Sequence, residues 1–158
     1  ALIEFIFAAV MLAVSFLMNV YSKQVQQIGY PKIWAFGLVL DGFSYCPYYF
    51  VSSVPMLAAF AVLHASFIIL IIIPRTTLIQ RLAAKAELGN VFSLLNVAVS
   101  GMTAISVALT GWASERFGIR EVFMVLGVLS GATGIWAWIA LVSNARAFAA
   151  TEPAAPEV

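Results

Sequence analysis

The sequence predicts an all-α integral membrane protein with five transmembrane helices, and three observations support this fold class. Of the 158 residues, 63% are hydrophobic and only 9% are charged, whereas soluble domains carry about 25% charged residues. The apolar residues fall into five runs, each close to the roughly 20 residues that an α-helix needs to cross a bilayer. The links between these runs are short and hold most of the lysines and arginines. We therefore expect a bundle of membrane helices.

The five predicted spans and their links account for residues 1–142, which we expect to form one transmembrane helix bundle. Apolar runs and turn residues place the spans at about 2–21, 33–50, 56–82, 90–112 and 122–142. Residues 143–158 are rich in Ala, Pro and Glu and hold few large apolar side chains. They bury too little surface to fold, so we expect a disordered tail.

Two prolines and a row of glycines predict local features of the helices. Pro47 is expected to bend the last turn of the second span, because proline cannot donate a backbone hydrogen bond. Pro74 is expected to kink the third span, because it removes the hydrogen bond to the carbonyl of Leu70. The fifth span carries a face of small residues, which predicts close packing against another helix. That face consists of Gly127, Gly131 and Gly134.

The distribution of positive charge predicts the orientation of the chain, because cytoplasmic links are enriched in Lys and Arg. One face, formed by the first link, the third link and the tail, holds Lys23, Lys32, Arg81, Lys85 and Arg146. The opposite face holds only Arg116 and Arg120. We therefore expect a multi-pass protein of the cell (inner) membrane, with a cytoplasmic C-terminus and an exoplasmic Ala1.

The composition excludes several other classes of protein. The net charge of +1, without a dense basic cluster, gives no basis for nucleic-acid binding. One cysteine, Cys46, excludes an internal disulfide, and one cysteine with one histidine cannot make a metal site of known pattern. The sequence has no nucleophile–base pair and no phosphate-binding loop, so we expect neither an enzyme nor a bound cofactor. The start inside an apolar run lacks the charged region and cleavage site of a signal peptide, and we interpret the chain as part of a longer one.

Ionisable side chains inside a bilayer cost roughly 2.5 to 3.5 kcal/mol each, so they are rare and often functional. The candidates here are Glu4, Asp41, His64 and Arg75. His64 and Arg75 lie eleven residues apart, about three helical turns, and therefore face one way on the third span. A contact with a transport cavity is one interpretation of both residues. The other is structural: an interhelical hydrogen bond for His64, and an Arg75 side chain that reaches the inner headgroups.

Asp41 falls near the middle of the second span, where a carboxylate has little access to water. It is interpreted either as a proton-coupling acid or as a protonated or hydrogen-bonded structural aspartate. Glu4 lies within a turn of the chain start and is expected near the outer interface.

A stripe of polar residues follows the fourth span, mostly at steps of three and four residues. It consists of Ser93, Asn96, Ser100, Thr103 and Thr110. Such a stripe can line an aqueous path, which makes Asn96, Ser100 and Thr103 candidates for the transport path. Interhelical hydrogen bonds, worth about 0.6 kcal/mol per pair, explain the same pattern.

Two groups of residues between Ile73 and Phe123 form a recognisable pattern. The first group ends one apolar run and begins the next: Thr77, Gln80, Gly89, Val91 and Ser93. The second group follows the fourth span: Gly111, Glu115, Arg116, Phe117, Gly118 and Phe123. With the five spans, these groups resemble helices eight to twelve of the major facilitator superfamily, in its efflux branch of macrolide- and siderophore-exporter-like transporters. The chain departs from that pattern at Ala84 and Asn90, where the family commonly has proline and arginine.

The resemblance implies a secondary active transporter that exports small molecules by alternating access, of which this chain is part of the C-terminal half. The implied partners are the lipid bilayer, an unidentified small-molecule substrate, and the N-terminal half and helix seven of the same transporter. The resemblance also implies that one face of the third span lines a central cavity and that the second span is peripheral. His64 is then expected to face a groove that helix seven or the N-terminal half fills.

Two alternatives to this interpretation come from other protein classes. A four-helix small multidrug exporter also carries a glutamate in its first helix, as Glu4 would be, but five spans and a long third helix argue against it. A non-transporting membrane subunit, whose helices only pack against a partner, remains open.

Overall fold

The computed structural model describes residues 2–144, and these residues form helices connected by short links. The elements in chain order are α1 (Leu2–Val20), α2 (Ser22–Ile28), α3 (Tyr30–Phe43), a 3₁₀ helix (Cys46–Phe50), α4 (Val54–Leu82), α5 (Leu88–Phe117) and α6 (Ile119–Ser143). The part of the chain described here contains no β-strand, which confirms the all-α prediction. The predicted tail, apart from its first two residues, lies outside the described residues.

Within residues 2–144, three helices are long and apolar enough to cross a membrane: α4, α5 and residues Ile119–Leu141 of α6. A fourth span results if α1, from Glu4, and α2 are counted together, although the two are bent by 77°. The membrane class of the prediction is thus supported, but the described helices give three or four spans by length and composition, where the sequence predicted five.

The second predicted span differs most from its prediction of 33–50. The α-helix begins earlier, at Tyr30, with Pro31 in its first turn, and it ends at Phe43. Pro47 explains the early end, because it has no N–H to donate to the carbonyl of Phe43 four residues before it. The chain continues as a 3₁₀ helix with Pro47 in its first turn, so the proline ends the α-helix rather than bending its last turn.

Helix α3 lies between α4 and α6. Small residues allow this close approach, since Ala35, Gly37 and Gly42 are its buried positions. The predicted glycine face of α6 packs against α3 and the residues that follow it. A methyl group at Gly134 would lie 2.7 Å from the backbone nitrogen of Val39, and one at Gly131 would lie 2.6 Å from the ring of Phe43. The prediction of close helix packing at this face is confirmed.

Helix α4 runs without interruption through Pro74, which is fully buried. Ser53 precedes the helix, and its side chain accepts a hydrogen bond from the amide of Met56 at 3.4 Å. Gly37 of α3 packs on the turn before the proline, where a methyl group would lie 3.0 Å from the carbonyl oxygen of Leu70. That carbonyl is the one that Pro74 leaves without its helical donor. The kink at Pro74 stays a prediction.

Two contacts between elements define the ends of the bundle. At one end, which we call the basic end, the guanidinium of Arg81 lies 4.8 Å from the ring centroid of Tyr30, joining the end of α4 to the start of α3. At the opposite end, Arg120 donates a hydrogen bond to the carbonyl of Val51 at 3.0 Å. Successive long helices therefore run antiparallel.

Helix α5 is the least covered element among those described. It packs mainly on α6, touches α4 only slightly, and has no buried residue. Next to α6 it borders an apolar cleft of about 530 Å³, lined in part by Leu109, Phe117 and Val125. Large apolar side chains such as Leu94 and Val97 are exposed along its length.

Candidate functional site

Three polar side chains meet between α3 and α4, close to the point where α3 ends. The Oγ of Ser44 lies 2.7 Å from the Nδ1 of His64, and the Oδ1 of Asp41 lies 3.2 Å from the same nitrogen. Asp41 is in the last turn of α3, Ser44 directly follows that helix, and His64 is in α4. Ser44 is 5% exposed and His64 is 9% exposed. We call Asp41, Ser44 and His64 the polar cluster.

The hydrogen bonds of Ser44 determine which atom carries the proton between the serine and the histidine. The Ser44 hydroxyl donates to the backbone carbonyl of Asp41 at 2.6 Å. A hydroxyl has one hydrogen, so towards His64 its oxygen can only accept. In this arrangement the Nδ1 of His64 is therefore the protonated nitrogen and donates to Ser44.

The carboxylate of Asp41 is close to His64 but is not aligned with it. Its Oδ1 is within ion-pair distance of Nδ1, yet this buried oxygen accepts no hydrogen bond from the described residues. The Nδ1 proton points to Ser44, which accounts for both observations. A buried carboxylate oxygen without a donor is costly.

The polar cluster does not have the geometry of a serine nucleophile. In such a site the serine and the carboxylate bind opposite nitrogens of the imidazole, so that a proton passes through the ring. Here Ser44 and Asp41 approach the same nitrogen, and the Ser44 proton is held by a backbone carbonyl. The arrangement can hold and release a proton, but it does not activate Ser44.

Aromatic rings surround the histidine on the side towards the 3₁₀ helix. The ring centroid of His64 lies 4.6 Å from that of Tyr45 and 6.0 Å from that of Phe7. Tyr45 and Tyr48 both stack on Phe123 of α6. Phe7 of α1 and Tyr45 after α3 contact the histidine ring directly, and Phe123 of α6 and Tyr48 of the 3₁₀ helix extend this aromatic group from Tyr45.

The position of His64 confirms one expectation. The side chain is buried and is paired with the end of a neighbouring helix, as expected for a polar group that would otherwise face lipid. Its ring contacts lie on α1 and on the region at the end of α3, and the groove for helix seven or the N-terminal half stays a prediction.

The other predicted candidates lie elsewhere. Arg75 shares α4 with His64, and its Nε is buried without a hydrogen-bond partner among the described residues. The polar stripe of α5, including Asn96, Ser100 and Thr103, is exposed. The hydroxyl of Thr103 donates to the carbonyl of Val99 in its own helix at 2.8 Å. Glu4 is exposed near the start of α1. The structure therefore brings together Asp41 and His64 only.

Sequence reasoning did not identify Ser44 as a functional residue, and it did not pair Asp41 with His64. A usable signal was present in the hairpin between the second and third spans. Asp41 lies twelve residues before Ser53, and His64 lies eleven residues after it. In an antiparallel hairpin that turns near Ser53, residues at equal distances from the turn lie at the same level along the two helix axes. The contact of Gly37 with Leu70 follows the same rule.

No group of three or more metal-ligating side chains occurs within the described residues. The long apolar helices are those of an integral membrane protein. A sequence profile described as Major Facilitator Superfamily matches residues 1–157. The chain belongs to this superfamily, whose members are transporters rather than enzymes. No curated protein and no solved structure matches the chain.

Proposed function

We propose that this chain forms helices eight to twelve of a facilitator transporter that exports small molecules and couples their export to protons. The observation that carries the proposal is the pairing of Asp41 with His64, a partly buried acid and a buried base between two helices of a transporter chain. The efflux direction is supported by the resemblance of the residues between Ile73 and Phe123 to exporters of macrolides and siderophores. The substrate would occupy a site near the bilayer midplane, between two six-helix halves.

The dimensions of the shorter helices support five spans in this proposal. The 19 residues of α1 extend about 28 Å at 1.5 Å per residue, close to the roughly 30 Å of a hydrocarbon core. The 14 residues of α3 extend only about 21 Å. The 3₁₀ helix that follows adds about 10 Å at 2 Å per residue. Taken together, α3 and the 3₁₀ helix are also long enough to cross.

The uncovered surface of α5 supports the proposal that further helices complete the bundle. Its polar stripe is exposed, and so are apolar residues on its other side, such as Leu94 and Ile105. A helix with these two faces fits a position between lipid and an aqueous path. We therefore propose that Asn96, Ser100 and Thr103 line the transport path opposite the N-terminal half.

The polar cluster would bind one proton in each transport cycle. With Asp41 ionised and His64 neutral, the site carries a negative charge in a medium of low dielectric constant, which is unfavourable. One added proton, on the Asp41 carboxyl or on the second nitrogen of His64, makes the site neutral overall. Release of that proton requires water to reach the site, which alternating access would allow in one conformation only.

An accumulation assay tests the export function. Cells that produce the full-length transporter should retain less radiolabelled macrolide or less iron–siderophore complex than cells carrying an empty vector, and dissipating the proton gradient should abolish the difference. A non-transporting subunit would leave the retention of both compounds unchanged. Equal retention of both compounds with and without the transporter would therefore refute the proposed exporter.

A second assay tests the polar cluster. Replacing His64→Ala should lower export or shift its pH dependence between about pH 5.5 and 8, near the range in which an unperturbed histidine titrates. The control Ser66→Ala, on the same helix, removes only a hydroxyl that donates to the carbonyl of Val62, and it should leave export unchanged. If His64→Ala exported normally across this range, the polar cluster would have a structural role only.

A further inference from the structure

A short helix at the basic end of the bundle has features of a lipid-binding element that the transport function does not use. Helix α2 is bent by 77° from α1, and it has no buried residue. The bend places α2 near the membrane plane if α1 crosses the bilayer, which is the orientation proposed above. Four of its seven residues are Lys or Gln, so α2 cannot continue α1 through the hydrocarbon core.

The side chains on and next to α2 separate into an apolar and a polar side. Val25 and Ile28 lie three residues apart and share one face of α2, and Tyr21, which directly precedes the helix, lies four residues before Val25. Val25 is half-buried beside the cleft described below. Tyr21 is 54% exposed and Ile28 is 55% exposed, so little of the described chain covers either end of that face. At 100° per residue, Lys23 and Gln26 lie on the opposite side. This is the pattern of a helix that rests on a membrane surface.

The charges around α2 identify the lipid. Residues 21–32 contain Lys23 and Lys32 and no acidic residue, and both lysines are exposed. The last turn of α4 and the link that follows it add the exposed cations Arg81 and Lys85 against the one carboxylate of Glu87. Juxtamembrane lysines and arginines attract anionic phospholipids. The excess of positive charge is therefore complementary to an anionic headgroup.

A cleft beside α2 is lined by polar side chains together with the apolar Met18, Val25 and Ile73. It has a volume of about 170 Å³ and lies where α1, α2 and the start of α3 meet α4. Its lining includes Ser15, Asn19, Ser22 and Tyr30. The ring of Tyr30 also carries the guanidinium of Arg81, so the cleft and the cationic surface are adjacent.

We propose that α2 and the flanking residues Lys23 and Lys32 bind the headgroups of anionic phospholipids, with the Tyr21–Ile28 face inserted among the acyl chains. This interaction would anchor the basic end of the bundle at one membrane surface. It is separate from the polar cluster, and it rests on the proposed placement of α1 across the bilayer.

Thermal unfolding of the purified full-length transporter in detergent tests the choice of lipid. Added phosphatidylglycerol should raise the melting temperature more than the same amount of phosphatidylcholine. The double substitution K23Q/K32Q should remove most of this difference, whereas K23R/K32R, which keeps the charge, should retain it. Arg116→Gln, a charge removal at the opposite end, should also retain it. Equal shifts by the two lipids, a full effect in K23Q/K32Q, or an equal loss in Arg116→Gln would each overturn the proposal.

Spin labels in lipid vesicles test the placement of α2, in a background that lacks Cys46. A label on Ile28→Cys should collide with oxygen dissolved in lipid, and a label on Gln26→Cys should collide with a water-soluble nickel complex. A label on the exposed Leu12→Cys in α1 reports separately whether α1 crosses the bilayer. Water access at both α2 positions, with lipid access at Leu12, would overturn the α2 proposal and leave the spans of the proposed transporter intact.

Discussion

Gly42 and Gly131 meet backbone to backbone where α3 crosses α6. A methyl group at Gly42 would collide with the amide nitrogen of Gly131 and with the carbonyl carbon of Ser130. Backbone atoms cannot move away as a flexible side chain can, so only glycine, which has no Cβ, fits at this crossing. Because the polar cluster begins at Asp41, one residue away, the same crossing also fixes its position.

Gly42→Ala is therefore expected to destabilise the protein by about 1–3 kcal/mol, as overpacking of a close contact does. Gly101→Ala serves as the control, because a methyl group there meets nothing within 4 Å. Alanine is favoured over glycine inside a helix by about 1 kcal/mol, so the control should be neutral or slightly stabilising. Melting temperatures of the two variants in the same detergent measure the difference. Equal melting temperatures would mean that α3 and α6 do not cross at these glycines.

Ser44→Ala is expected to destabilise the polar cluster, because it leaves the Nδ1–H of His64 without its acceptor. A buried donor without a partner costs about 1–3 kcal/mol. Asp41 Oδ1, 3.2 Å away, is then the nearest alternative acceptor, and the proton profile of export should shift. The control is Ser66→Ala, whose hydroxyl is exposed and bonds only within its own helix. Unchanged stability and an unchanged pH profile in Ser44→Ala would contradict the hydrogen bond between Ser44 and His64.

Cysteine substitutions along α5 test whether its polar stripe lines an aqueous path. Cysteines at Asn96, Ser100 and Thr103 in the full-length transporter should react with a water-soluble thiol reagent. Ile105 lies about 180° around the helix from Asn96 and is 54% exposed, so a cysteine there should face lipid and react far more slowly. Equal rates at the two faces would remove the stripe from the proposed path.

The orientation predicted from Lys and Arg is tested by a cysteine at Ala150. The five-to-two bias of these residues towards one face predicts a cytoplasmic tail. An impermeant thiol reagent should then label this position only after the membrane is made permeable. Labelling in intact cells would reverse the topology and place α2 at the outer surface.

The sequence was sufficient for the helical membrane class, for the family, and for the glycine face of α6, because each depends on local composition or spacing. The sequence analysis placed the C-terminal end of the second α-helix too late, at residue 50 instead of Phe43. The hydropathy of residues 44–50 does not distinguish an α-helix from a 3₁₀ helix. Pro47 was the informative residue, and its missing N–H ends the helix one turn earlier.

The contact between Asp41 and His64 could be predicted only in part from the sequence. Asp41 and His64 each stand out as polar residues in apolar runs, but their contact depends on where the chain turns between two helices. Composition alone does not show where the chain turns. Once the turn is placed near Ser53, the pairing of Asp41 with His64 follows from their distances along the chain. Arg75 and the polar stripe of α5 also stand out in the sequence, but they do not join the polar cluster. Polar residues on membrane helices therefore do not by themselves identify a shared site.

Gly29 and Gly118 adopt a similar backbone geometry at opposite ends of the bundle. Both have φ of 93°, a conformation that side chains with a Cβ rarely adopt, and each is the only residue between two helices. Gly29 leads into α3 and Gly118 leads into α6, the two helices that pack most closely on one another. The chain therefore enters each member of its most tightly packed pair through a one-residue pivot. Motion of α2 or α5 about these pivots would change the outline of the protein while the α3–α6 pair, and the polar cluster beside it, keep their shape.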